Sequence, residues 1–255
     1  MVRLSLQEER LMHRFYADPD RSTADLAVLS PEDARHASSV LRLKPGQHVE
    51  IIADSIRREA ELLTVSPAET TARFLSTLPS TEPLLSVTLF QGIPKSDKMD
   101  LIVQKATELG ACRIVPVLMA RCVSRPDPKD LNRKRDRWQK IAREAGKQSG
   151  RCVIPEVFEP VSLQRLTALP FLPEINVVPW EEALSFGPLA FKAGHPAPSS
   201  LGILIGPEGG IEKEEIDFLK SAGFIPLTLG KRILRTETAG LAALASLMTL
   251  YGEME

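Results

Sequence analysis

An α/β domain preceded by a smaller β-rich one is the architecture this 255-residue sequence predicts, and three observations predict it. Up to about residue 78 the apolar residues fall in short alternating runs broken by turn formers. Residues 79 to 83, PSTEP, hold two prolines and small polar residues that neither continue a strand nor favour a helix, so they read as a linker. Beyond them, apolar runs of strand length alternate with helical periodicity. The expected domains are 1–78 and 84–255.

In the first domain HVEII (48 to 52) and TARFL (71 to 75) read as strands, and PEDA (31 to 34) and KPGQ (44 to 47) as turns. Phe15 and Tyr16 have two readings, core residues of a β-rich domain or a platform on which a base stacks. In the second domain the strands are VTLFQGI (87 to 93), RIVPVL (113 to 118), INVVPW (175 to 180), LGILIGP (201 to 207) and FIPLTLG (224 to 230). Helices are expected from Asp97 to Leu109, Leu131 to Lys147, Lys213 to Ser221 and from about Thr236, with KAGHPAPSS (192 to 200) as a loop.

Composition excludes several classes. An apolar fraction of 43% and a charged fraction of 25% belong to an ordinary folded protein. The apolar stretch Ala239 to Leu250 is far short of the roughly 20 residues that span a bilayer, and charges come early in MVRLSLQEERLMHRF, so no membrane partner and a cytoplasmic location are expected. Cys112, Cys122 and Cys152 are odd in number and form no CxxC pair, and the four histidines are scattered, so neither disulfides nor a metal site is expected.

The net charge is only −1, but its distribution is uneven. Between Arg121 and Arg151 stand eleven Lys or Arg against four acidic residues, a local charge of +7 that leaves −8 on the rest. Arg133, Arg137, Lys140, Glu144, Lys147 and Arg151 step by three or four along one helical face, with Trp138, Ile141, Ala142 and Ala145 on another. A solvated surface and a phosphate-contacting stripe both fit that pattern.

Two segments have the form of ligand loops. ILIGPEGGIEKEEI (203 to 216) sets a glycine-rich turn between an apolar strand and a helix with acidic first turns. Gly206, Gly209 and Gly210 would let backbone groups approach a ligand, although a plain tight turn also fits. LGKRILRTETAGLAAL (229 to 244) repeats the arrangement with a basic and polar loop, in which Thr236 or Thr238 can cap the helix. GxGxxG is absent after the first strand of the second domain, as is a P-loop, which points away from dehydrogenases and NTPases.

IGPEGGIEKEEI, LGKRILRTETA, KSDKMDLIVQKATELGACRIVPV (95 to 117) and REAGKQSGR (143 to 151), in that combination and with HASSVLRLKPGQ (36 to 47), resemble the RsmE branch of the SPOUT methyltransferases over essentially the whole chain. The resemblance implies a PUA-like β-barrel for RNA, then an α/β SPOUT domain with a carboxyl-terminal trefoil knot. Periodicity alone gives an ordinary doubly wound sheet, since knots are rare. It further implies S-adenosyl-L-methionine as cofactor, 16S ribosomal RNA as substrate, within the assembled small subunit, methylated at N3 of one uridine, and a homodimer with the active site near its interface. One departure is ADSIRREAEL (53 to 62), where relatives often turn on a glycine; the shape of that hairpin is left open.

Carried over position by position, the resemblance assigns the cofactor to Leu204, Ile205, Gly206, Pro207, Glu208, Gly209 and Gly210 in one loop. In the other it assigns Leu229, Gly230, Ile233, Leu234 and Thr236. RNA falls to Arg14, His36, Arg42, Lys95, Lys98, Arg143, Gln148 and Arg151. Transfer to uracil N3 requires loss of its proton, so Arg235 is expected to supply positive charge to the base and Glu237 to orient it or take the proton. A helix-start carboxylate is the plain alternative for Glu237. Two rivals remain, a sister activity such as ribose methylation of transfer RNA, and a non-catalytic RNA-binding factor, which predicts damaged cofactor loops.

Overall fold

The computed structural model describes residues 12–123 and 128–254, so residues 1–11, with their early charges, and Arg125 and Asp127 of the basic stretch lie outside the described residues. The chain divides into two compact units, Met1–Glu82 and Pro83–Glu255.

The first unit is a half-barrel sheet of β1 (Arg14–Tyr16), β2 (Leu26–Val28), β3 (His48–Ala53), β4 (Ile56–Val65) and β5 (Thr70–Thr77), in the order β1-β3-β4-β5-β2. Phe15, Leu29, Val49, Ile51 and Leu62 fill its core, which places Phe15 among the packing residues. PEDA, expected as a turn, opens helix α1 (Pro31–Arg35) instead: Ser30 accepts the Asp33 amide and Pro31 stands in the first turn, a helix start in a helix of only five residues. The β3–β4 hairpin turns on Asp54 and Ser55, with φ of 52° and 60°. Two left-handed residues between paired strands make a type I′ turn, so Ser55, following Asp54, holds the left-handed place that glycine takes elsewhere.

The second unit holds β6 (Ser86–Gly92), β7 (Arg113–Leu118), β8 (Glu156–Val157), β9 (Val161–Ser162), β10 (Ile175–Pro179), β11 (Ser200–Ile205) and β12 (Phe224–Leu227). They pair in parallel in the order β12-β10-β11-β6-β7-β8, with β9 also on β7. The helices are α2 (Lys98–Glu108), α3 (Leu131–Ser149), α4 (Leu163–Leu166), α5 (Pro188–Gly194), α6 (Lys213–Ser221) and α7 (Thr236–Leu250). α5 thus claims Lys192 to Gly194, and β11 claims Ser200, from the segment expected to be a loop.

A parallel sheet buried on both faces needs apolar residues of both parities. Val87, Leu89, Leu201 and Ile203 pack with α2, α3, α5 and α7, through Ile102, Ala142, Phe191 and Leu244 among others. Phe90, Val115, Val178 and Leu204 pack on the opposite face with α4 and α6, through Leu166 and Leu219. The unit is therefore a three-layer α/β/α fold. Its last described residues return to its first: the Glu253 carboxylate accepts the amides of Leu84 and Leu85, each at 2.8 Å. Among the described residues no helix is long and apolar enough to cross a membrane.

Candidate active site

Every strand of a parallel sheet ends on the same edge, so the segments after β6, β10, β11 and β12 gather there, where open α/β sheets place their ligands. A cavity of ≈ 440 Å³ lies between the segments after β11 and β12, within the ~300–1,000 Å³ of small-molecule sites. Its walls include Gly206, Pro207, Glu208, Gly209, Gly210 and Ile205 on one side, and Ile233, Leu234, Arg235 and Thr236 on the other. A smaller cavity of ≈ 120 Å³ shares Pro179, Glu181, Ile233 and Leu234 with it and adds Leu229 and Gly230. Leu204 departs from this set, being fully buried in the core beneath the loop.

A buried hydrogen-bonded chain ties three of these segments together. Gln91, at the end of β6 and fully buried, donates through Nε2 to Thr236 Oγ1 at 2.9 Å and to the Gly92 carbonyl at 3.0 Å. Thr236 in turn donates to the Gly206 carbonyl at 2.6 Å. Thr236 is the first residue of α7, but its hydroxyl serves the neighbouring loop, and the N-cap residue Arg235 makes no side-chain cap. The approach is close enough that a Cβ on Gly92 would sit 2.7 Å from the Pro207 nitrogen. Gly210 has φ +76°, and a Cβ there would lie 3.0 Å from Glu181 Oε1, filling cavity space.

The outer side of the Gly206–Gly210 loop is braced as well. Arg121, just past β7, donates from Nη1 to the Gly209 carbonyl at 3.0 Å and lies 3.5 Å from Glu212. Glu212 and Glu215 form a reciprocal capping box at the start of α6. Glu208 accepts the Lys95 amide at 3.1 and 3.3 Å and pairs with Lys98. Burial pushes the Glu208 carboxyl up, but its own amide, that of Lys95 and the Lys98 ammonium outweigh burial and hold it below the usual carboxylate range.

Arg235 stands exposed on the cavity wall, at the entrance to α7. Glu237, the second residue of that helix, lies outside the cavity walls, with Oε2 3.1 Å from Lys98 Nζ. The Lys98 ammonium is held protonated beyond its usual range by Glu208 first and Glu237 second.

The residues expected on RNA part company. His36, Arg42, Lys95, Arg143 and Gln148 are exposed. In the first unit Arg14 is committed to the buried Glu50, which also takes Arg57 through two hydrogen bonds of 2.9 Å. Arg151 is corrected most: only 4% exposed, it donates to the carbonyls of Thr107 and Ala111 at 2.7 and 3.1 Å, closing the end of α2. It leaves the stripe because α3 stops at the left-handed Gly150, φ 77°. The rest of the stripe faces outward, with Arg137 paired to Asp97 and Asp100. Gln91, Arg121 and Glu181 carry no motif signal in the sequence; only their contacts reveal them.

Residues 80–248 match the RNA methyltransferase domain family. The chain is 36% identical to the ribosomal RNA small subunit methyltransferase E of Bacillus subtilis, covering 92% of this chain and 96% of that protein. It is 32% identical to the protein of the same name from Mycobacterium bovis, covering 92% and 91%. A solved structure of the Neisseria gonorrhoeae ribosomal RNA small subunit methyltransferase E bound to S-adenosyl methionine superimposes with a TM-score of 0.80 at 32% identity, over 94% of this chain and 98% of that one.

Proposed function

The chain belongs to the ribosomal RNA small subunit methyltransferase E family, and from that premise we propose that it methylates N3 of a specific uridine in 16S ribosomal RNA with S-adenosyl-L-methionine. The observation that carries the proposal is the cavity between the two intact loops, joined through Gln91, Thr236 and Gly206. Its residues fit the cofactor. Ile205, Pro207, Ile211, Ile233 and Leu234 offer apolar walls to an adenine and a thioether chain, Glu181 offers negative charge to a cation, and the missing Cβ at Gly210 leaves room at the wall.

When bound, S-adenosylmethionine supplies a methyl group on a positively charged sulfur. The chain's own work is to hold a uracil in line and stabilise its N3 anion. Arg235, exposed on the wall, is placed to put a guanidinium against the base. Glu237 faces Lys98 and does not line the cavity, which favours an orienting role over that of proton acceptor. Positioning then carries much of the acceleration.

The same reading takes the first unit as a PUA-like RNA-binding domain, the loops after β11 and β12 as the site of a trefoil knot, the functional form as a homodimer and the location as cytoplasmic. His36, Arg42, Lys95, Arg143 and Gln148 supply exposed groups for RNA, in the assembled small subunit.

The test is transfer of label from S-adenosylmethionine to small subunits lacking their own modification, with the product nucleoside identified by mass spectrometry. Labelled 3-methyluridine is expected. Label in another nucleoside would move the chain to a sister activity, and failure to bind the cofactor would favour an RNA-binding factor.

A further inference from the structure

Lys98 opens α2, and its ammonium lies 3.1 Å from Glu208 Oε1 and 3.1 Å from Glu237 Oε2. The three groups come from three separate segments: the start of α2, the loop after β11 and the first turn of α7. All are partly shielded, their side chains 33%, 15% and 23% exposed for Lys98, Glu208 and Glu237. Glu237 Oε2 is buried without an aligned hydrogen-bond donor, so the ammonium is what balances its charge. The carboxylates on Lys98's own segment, Asp97 and Asp100, face Arg137 of α3 and do not compete for it.

We propose that Lys98 is a positioning residue: its ammonium clamps the Glu208 loop to the start of α7, fixing the cavity wall and Arg235 beside it, and it is not spent on RNA. This rests on the reading of the cavity as the cofactor site. The geometry explains why a cation is needed. Two oxygens that each stand 3.1 Å from one nitrogen are at most about 6.2 Å apart, a separation at which two carboxylates disfavour each other's charge. Loss of Lys98 leaves the two charges repelling each other, which favours proton uptake or separation of the pair, and separation moves the loop that carries Pro207 and Gly209.

The experiment uses the full chain with Lys98→Met, Lys98→Gln and Lys98→Arg, reading the Glu208 carboxyl titration by carbon-13 NMR in cofactor-free protein and S-adenosylmethionine affinity by calorimetry across pH. We expect the Glu208 titration to move upward in K98M, and equally in K98Q should K98M fold poorly, and to return in K98R. Cofactor affinity should fall about tenfold in K98M, more at the acid end, with K98R restoring it; tenfold corresponds to ~1.4 kcal/mol. A Glu208 titration unmoved by loss of Lys98 overturns the proposal. So does a variant whose only defect is weaker RNA binding with a salt slope reduced by about one, the mark of a lost phosphate contact. Should the unaltered protein bind no cofactor, the cofactor reading falls, while a Glu208 titration unmoved in K98M would still overturn the contact on which the clamp depends.

Discussion

Thr236 donates its hydroxyl proton to the Gly206 carbonyl across 2.6 Å while accepting one from Gln91, so one buried hydroxyl joins the ends of β6 and β11 to the start of α7. The hydrogen bond to the loop fixes its direction: with the proton given to Gly206, Thr236 can only accept from the Gln91 amide.

Thr236→Val keeps the shape and removes the hydroxyl. It leaves the Gly206 carbonyl and one Gln91 N–H without their partner, at a cost of ~1–3 kcal/mol for each group stranded in the interior. The melting temperature should drop by several degrees and S-adenosylmethionine affinity by about tenfold or more, with Thr236→Ser near normal. A valine variant that melts and binds as the parent does would show that the hydroxyl is dispensable.

Arg235 is exposed and makes no side-chain cap for α7, so Arg235→Ala should change stability by less than ~0.5 kcal/mol. Calorimetry should find cofactor binding retained, and methyl transfer should fall by roughly 10²–10³ if the guanidinium stabilises the developing uracil anion. Unchanged methylation would remove Arg235 from the chemistry.

For Arg151 the structure predicts a folding defect in place of an RNA defect. Arg151→Ala strands the carbonyls of Thr107 and Ala111 and opens a buried space, which should cost ~2–4 kcal/mol in denaturant unfolding. The folded fraction should bind RNA with the parent's salt dependence. A normal unfolding midpoint with a shallower salt slope would restore the phosphate role.

Acid sensitivity of the first unit should centre on Glu50. Burial pushes its carboxyl up, but the hydrogen bonds and charges of Arg57 and Arg14 outweigh burial and hold it below the ordinary range. A group whose folded value is lowered stabilises the fold fully above the unfolded chain's carboxylate value, and that contribution is lost as pH falls through the folded value. Glu50→Gln should therefore cost ~3–5 kcal/mol near neutrality, by leaving two guanidinium groups without their anion, and flatten the acid limb of stability against pH. Equal acid limbs in parent and variant would refute this.

Much of the second unit was legible because its physics is local. Apolar runs marked β6, β7, β10 and β11, and periodicity marked α2, α3 and α6 close to their observed bounds. PEDA and residues 192 to 194 were misread because helices of five and seven residues are too short to display a period. Arg151 kept helical spacing on paper, yet one left-handed glycine turned the chain before it. The ligand loops were visible as motifs, whereas the groups that tie them were not: Gln91 and Thr236 lie 145 residues apart, and Lys95 and Glu208 lie 113 apart. A pattern confined to a window cannot report bonds of that reach.

The order of the second sheet also constrains how the protein is made. β6 pairs with β11 from Ser86–Ser200 to Gln91–Ile205, and β12 joins the sheet through β10. During synthesis the first strand of this unit emerges long before the neighbour that buries its other edge. The sheet cannot close until more than a hundred further residues have followed, which is a slow, long-range assembly. Its exposed apolar strand must wait through that interval, so nascent chains stalled before β11 are the aggregation-prone species, and a chaperone that shields β6 should raise the yield of folded protein.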